Sequence, residues 1–227
     1  MGLNRAREPW APGPVFGYAI ELAQPAKTPK LCVITTAGGD QAETITRFEQ
    51  AFAENDVELS VLALFDRPSV TDVSEHLRAQ DVVWCDRGSL VNLLAVWRAH
   101  GLDKVLRECW EEGVVLGGES AGSLCWFSAS TTDSFGPVRP HHDGLGLLPF
   151  ANSVHYGDRR EQFHDLLADG SITTGYATDA GAGLHFEGAK LVTAISDRPR
   201  AGAYEVHRGP DGRVHETQLE VRRLKRA

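Results

Sequence analysis

With 227 residues, 42% hydrophobic and 24% charged, the chain has the length to bury a large core and the composition of an ordinary globular protein. A net charge of −8 at pH 7 argues against a nucleic-acid surface, which needs clustered Lys and Arg. No apolar run approaches the ~20 residues that cross a bilayer, and MGLNRAREPWAPGP lacks the apolar stretch of a secretory signal, so neither a membrane nor an exported protein is expected.

Cys32, Cys85, Cys109 and Cys125 are widely spaced and form no Cys-x-x-Cys pair, a pattern of reduced, buried thiols in a cytoplasmic protein rather than of disulfides or zinc ligands. No metal site is expected. The one basic cluster, Arg222, Arg223, Lys225 and Arg226, reads as a solvated tail.

Residues 1–30 read as an irregular segment with one strand at Val15–Ala23. A regular alternation then begins with the β-branched run Leu31–Thr35 and the turn Ala37-Gly38-Gly39-Asp40. A helix with Ile45, Phe48 and Phe52 on one face follows, its start marked by Asp40 and Glu43 as a capping box. Val61–Phe65 is the next strand, Val70, Val73 and Leu77 mark a helical face, and Asp81–Cys85 is a third strand.

Leu90, Leu93, Leu94 and Trp97 have helical spacing, as do Leu102, Val105, Leu106 and Cys109, with Gly101 between the two sets. Val114-Val115-Leu116 is a short apolar strand of the kind buried in a parallel sheet. This alternation predicts βαβ units, a parallel sheet with helices on both faces. After Asp179 two hairpins are expected, Leu184–Glu187 with Leu191–Ile195 and Ala203–His207 with Val214–Leu219. They read as an antiparallel addition to a single domain spanning 1–227.

The segment Gly118-Glu119-Ser120-Ala121-Gly122 places Gly-x-Ser-x-Gly between that last apolar strand and a helix expected over Ala121–Phe127. Gly-x-Ser-x-Gly alone is a common turn composition. Its strand-turn-helix setting is what a strained nucleophile turn requires, with the helix start bringing backbone N–H groups toward an oxyanion. A serine nucleophile needs a base, and usually an acid to orient that base. Downstream lie Asp133 and His155, the latter at the end of a short apolar segment. The other histidines fall in loops, beside helices or in hairpin strands.

The block Gly117–Phe127 with Thr132–Gly136 resembles the active-site region of the peptidase E family of serine peptidases, which includes α-aspartyl dipeptidases and has cyanophycinases as relatives. The similarity continues through Asp143–Pro149, His155-Tyr156, Gly175–Ala177, Gly181 and Leu184–Phe186, and upstream through Leu93–Asp103, covering roughly 30–220. The resemblance implies a flavodoxin-like α/β fold akin to class I glutamine amidotransferases, with no cofactor or metal. By position it implies Ser120 as nucleophile, His155 as general base and Asp133 as the orienting acid. Gly88 and Ala121 would supply oxyanion N–H groups, and the substrate would be a small peptide or amide, most plainly a dipeptide of the Asp-X type. Beside the resemblance, Glu119 adjoins the nucleophile on the substrate side, and Arg87 reads equally as a bidentate partner for a substrate carboxylate or as a surface arginine with no role.

The chain departs from the family at several points. The Gly-Gly-Gly-Asn-Thr-like loop of relatives reads Asp86-Arg87-Gly88-Ser89-Leu90. Gly88 is kept, but an inward Asp86 carboxylate would oppose an oxyanion. Glu119 stands where small or apolar residues are common, an N-terminal glycine-rich stretch is replaced by Trp10–Pro14, and an Asp-Asp-Gly pattern appears as Asp179-Ala180-Gly181. These changes keep open a second reading, a catalytically silent binding protein on the same scaffold. An α/β-hydrolase esterase is less consistent, because too little chain separates Ser120 from His155. A glutamine amidotransferase would carry cysteine at the turn. No protein partner is implied, and whether the chain forms a homo-oligomer is not legible in the sequence.

Overall fold

The computed structural model describes residues 2–225, which divide into two compact units, Gly2–Ser123 and the stretch from Leu124 onward. The first unit runs α1 (Pro14–Ala23), β1 (Lys30–Ile34), a 3₁₀ turn (Thr36–Gly38), α2 (Ala42–Phe52), β2 (Glu58–Leu62), α3 (Val73–Arg78), β3 (Val82–Cys85), α4 (Leu90–Ala99), α5 (Leu102–Glu111), β4 (Val115–Gly118) and α6 (Ala121–Leu124). Its sheet is wholly parallel, in the order β2-β1-β3-β4.

Helices cover both faces of this sheet. Register partners in a parallel sheet point the same way, so Val61, Val33, Trp84 and Gly117 share a face. On that face Phe16 of α1 packs against Trp84 at 4.7 Å and Phe52 of α2 at 5.1 Å between ring centroids. Ser60, Cys32 and Val83 point the other way, where Ser60 meets His76 of α3 at 3.1 Å and α3, α5 and α4 pack in series.

Two local readings are corrected. Val15–Ala23 lies in a helix, not a strand: Pro14 presets the first helical φ, and Val15, Phe16, Tyr18 and Ala19 are buried at helical spacing. Asp40 is not a capping residue. Gln41 precedes α2 and makes no side-chain cap, while the Asp40 carboxylate accepts from Thr35 Oγ1 and from the Leu64 and Phe65 amides at 2.6–2.9 Å, pinning the 3₁₀ turn to the end of β2.

The second unit runs β5 (Phe127–Thr132), β6 (Arg139–His141), β7 (Leu148–Val154), α7 (Tyr156–Ala168), β8 (Thr174–Thr178), β9 (Ala182–Glu187), β10 (Lys190–Ser196), β11 (Ala203–Arg208), β12 (Val214–Gln218) and β13 (Val221–Arg223). Six strands form a mixed sheet in the order β12-β11-β8-β7-β5-β6, and β13-β10-β9 form a second sheet. The helix expected over Ala121–Phe127 stops at Leu124, since Phe127–Thr132 is rich in β-formers and enters the mixed sheet.

Ala129, Ala151 and Ala177 form a row of small residues on which α7 seats Tyr156, Phe163, Leu166 and Leu167. On the other face Phe150 and Tyr176 meet Phe186 of β9. Both expected hairpins form, each in a different sheet. Of the basic cluster, Arg222 and Arg223 are exposed, as a solvated segment requires, but lie in the strand β13, paired with β10. Arg226 lies outside the described residues.

All four cysteines are buried, and none is in a disulfide. Burial pushes the Cys32 thiol up to about 12 and the Cys109 thiol to about 11, so neither forms thiolate near neutrality. Native protein is therefore expected to show no fast-reacting thiol with a disulfide reagent at pH 7.5, and four after denaturation. A fast-reacting thiol in the native state would contradict this burial.

Candidate active site

The turn after β4 has the form that a nucleophile elbow needs. Ser120 has φ +55°, a left-handed backbone that L side chains adopt only at a cost. It is held there by neighbours with no room for side chains. A Cβ on Gly118 would lie 1.9 Å from the Gly122 carbonyl oxygen, and one on Gly122 would lie 2.2 Å from the Cys85 carbonyl oxygen. The turn closes through the Gly122 amide on the Glu119 carbonyl at 3.0 Å, and through the Ser123 amide and hydroxyl on the Ser120 carbonyl at 2.9 and 2.8 Å. Ala121 opens α6, so its N–H has no intrahelical acceptor.

The loop after β3 lies against the same turn, since Cys85 and Asp86 supply the carbonyls that exclude a side chain at Gly122. Its amides at Asp86 and Ser89 are bonded to the Ile34 and Ala37 carbonyls, whereas Gly88, exposed and at φ +152°, donates no hydrogen bond among the described residues. Its backbone passes so close to Ala37 that an added Cβ would fall 2.0 Å from that carbonyl oxygen. Ser89 caps α4 by accepting from the Asn92 amide.

Asp86 is buried, at 3% exposure, but not unbalanced: Arg5 reaches its carboxylate at 2.5 Å. The opposition to an oxyanion expected from the sequence is thus met by a cation that sequence reasoning missed. Arg87 is half exposed, with its guanidinium 3.9 Å from the Glu119 carboxylate.

In the second unit, His155 directly follows β7 and Asp133 directly follows β5. These strands are parallel neighbours with Ser130 opposite Asn152. Thr131 and Ser153 continue that register through a 2.7 Å bond between their hydroxyls. Asp133 and His155 lie two positions beyond Thr131 and Ser153, each as the first residue past its strand.

His155 also has φ +55°. Among the described residues four non-glycines have positive φ, and two of them are the expected nucleophile and base. The next residue, Tyr156, is locked: its hydroxyl donates to Glu216, meets His164 Nε2 at 3.0 Å, and is pushed well above the ordinary tyrosine range, first by burial and then by Glu216.

Asp133 is also clamped. Arg159, only 7% exposed, donates Nη2 to its Oδ2 at 2.8 Å and Nη1 to the Thr131 carbonyl at 3.3 Å, which leaves Oδ1 for another donor. The sequence carried a signal for Arg159: it stands one helical turn after His155, on the same side of α7. Among the described residues no group of three or more His, Cys, Asp or Glu is placed to hold a metal ion, and no helix is long and apolar enough to cross a membrane.

The profile of Peptidase family S51 matches residues 16–194. The chain is 41% identical over 181 residues to the uncharacterized peptidase YgaJ of Bacillus subtilis (strain 168), a match covering 78% of each chain. Its fold is similar to the crystal structure of a peptidase from an acI-B1 Actinobacterium, with a TM-score of 0.67, 17% identity, and coverage of 92% of this chain and 88% of that one. A Listeria monocytogenes EGD-e protein gives a TM-score of 0.50 at 17% identity, covering 91% and 93%.

Proposed function

The chain belongs to peptidase family S51, a family of serine peptidases, and from that premise we propose that it hydrolyses a short peptide through an acyl-enzyme on Ser120. His155 is the general base and Asp133 its orienting acid. The observation that carries this reading is the pairing of strain with position: Ser120 and His155 each adopt φ +55° in a turn just beyond a strand of a parallel pair. Strained backbone of this kind persists where function requires it.

In this mechanism the Ser120 hydroxyl attacks the scissile carbonyl and passes its proton to His155. The amide oxygen becomes an oxyanion, met by the N–H groups of Gly88 and Ala121. Collapse breaks the C–N bond, and His155 returns the proton to the departing amine. Water, deprotonated by His155, then releases the acyl group. Asp133, fixed through Oδ2 by Arg159, accepts the far ring N–H of His155 and sets its tautomer.

The substrate class we assign is a dipeptide with N-terminal aspartate, in line with the resemblance to α-aspartyl dipeptidases. Arg87 is an exposed cation that would pair with a substrate carboxylate. We assign this site to a cytoplasmic protein that acts without metal or cofactor.

The test is release of free amino acid from a panel of dipeptides, Asp-X included, with Ser120→Ala as the blank. Ser120-dependent turnover of Asp-X is expected. Turnover confined to other dipeptides would remove the aspartyl specificity. No turnover of any dipeptide would remove the dipeptidase reading and leave either a different amide substrate or a silent binding protein.

A further inference from the structure

The family match begins at residue 16, yet the residues before it reach the nucleophile turn. Within the first unit, residues 2–12 form a short strap closed by a bridge between Asn4 and Ala11. At one end Gly2 lies so close to Glu119 that an added Cβ would fall 2.1 Å from its Oε2. At the other, Trp10 meets Phe48 of α2 edge-on at 6.2 Å, with Arg47 over its ring at 5.0 Å. Arg5 lies between these anchors, its guanidinium 4.4 Å from the Trp10 ring centroid and 2.5 Å from the Asp86 carboxylate.

We propose that Arg5 is a positioning residue of this site: it neutralises Asp86, and so lets a loop that carries a buried carboxylate two residues before Gly88 still stabilise an oxyanion. The inference rests on the peptidase reading above. It joins two features of this chain: a buried carboxylate in the loop that carries Gly88, and a cation on it from a segment outside the family match. An unpaired carboxylate at 3% exposure is costly in itself, and its field in such a site is poorly screened. It would raise the energy of any negative charge forming near the Gly88 N–H, and would draw that loop out of place as it sought water. A guanidinium suits the task because it stays charged and is itself held over the Trp10 ring, 4.4 Å from its centroid.

Arg5 therefore acts through Asp86 and not on the substrate. Losing it should affect the transition state far more than substrate binding, and the defect should vanish when the carboxylate is also removed. The readout that needs no known substrate is the rate at which a fluorophosphonate labels Ser120. The Ser120 oxygen displaces fluoride at phosphorus, and the phosphoryl oxygen occupies the oxyanion position.

Arg5→Met is expected to slow labelling about 100-fold, the order of losing one oxyanion donor. Arg5→Met with Asp86→Asn should return to within about tenfold of the parent. If Arg5 merely anchors the strap, the double variant will be as slow as the single one, and the inference is overturned. It is also overturned if the single variant labels at the parent rate. Should Arg5→Met lose its native circular dichroism, Asp86→Asn is compared with the double variant. Once the carboxylate is gone, removing Arg5 should cost less than about threefold, and a further loss of about 30-fold or more would refute the coupling. A parent chain that is not labelled at Ser120 at all overturns the serine mechanism itself, and this inference with it.

Discussion

His155→Asn is expected to lower turnover by about 10⁴- to 10⁶-fold while leaving the fold intact. The size follows from the role: removing the base from a serine triad costs nearly as much as removing the triad, because the hydroxyl is a poor nucleophile until its proton has somewhere to go. The replacement suits the backbone, since asparagine tolerates the left-handed conformation that His155 holds at φ +55°. The His155 side chain is exposed, so little packing is lost. Steady-state kinetics on the best dipeptide, with a thermal melt on the same sample, checks both halves. Turnover within tenfold of the parent would remove His155 as the base.

Like a methyl group on Gly118 or Gly88 in the same unit, Gly122→Ala is expected to produce a large loss of stability. Its Cβ would lie 2.2 Å from the Cys85 carbonyl oxygen and 2.7 Å from that of Asp86, and both are backbone atoms that no rotamer change can move. The turn or the end of β3 must shift, at a cost of about 3 kcal/mol or more, at or beyond the usual upper limit for an overpacked site. For a chain of this size that is a fall in unfolding midpoint of roughly 6–12 °C.

Ser120 labelling should fall with it, since the same shift moves Ser120 and the Asp86–Ser89 loop together. Gly17→Ala is the control. That glycine is in α1 with nothing within 4 Å of an added Cβ, so alanine should stabilise by up to ~1 kcal/mol. Equal midpoints for Gly122→Ala and the parent would show that the turn is not as tightly packed as its geometry states.

Much of this was legible in the sequence where period and spacing carry physical meaning. The runs Val114–Leu116 and Leu90–Trp97 could hardly form anything but a strand and an apolar helical face, although β4 is half-buried and not the fully buried strand its composition suggested. The small residues around Ser120 announced a turn too tight for side chains. What could not be read were contacts whose partners are remote in sequence. Asp40 and Glu43 have capping-box spacing, but two amides of the chain beyond β2 compete for the Asp40 carboxylate and win it.

Asp86 looked hostile to catalysis because its neutralising partner is 81 positions away in a segment with no periodicity. The misread strand at Val15–Ala23 has a local cause: Val15, Phe16 and Tyr18 are good strand formers, and only Pro14 ahead of them pointed to a helix. The helix after Ser120 was drawn too long for the reverse reason. Its continuation is residues whose destiny is set by the sheet they join.

The ladder between β5 and β7 acts as a ruler for the proposed acid and base. Their separation follows backbone steps, supported by the Thr131–Ser153 hydroxyl bond and by the small residues Ala129 and Ala151 beneath α7. Substitutions elsewhere in Phe127–Thr132 and Leu148–Val154 would leave the same spacing. One residue gained or lost inside either strand would slide the marks by about 3.3 Å and turn one of the pair to the opposite face. The proposed acid and base should therefore be more sensitive to insertions and deletions in these strands than to substitutions along them.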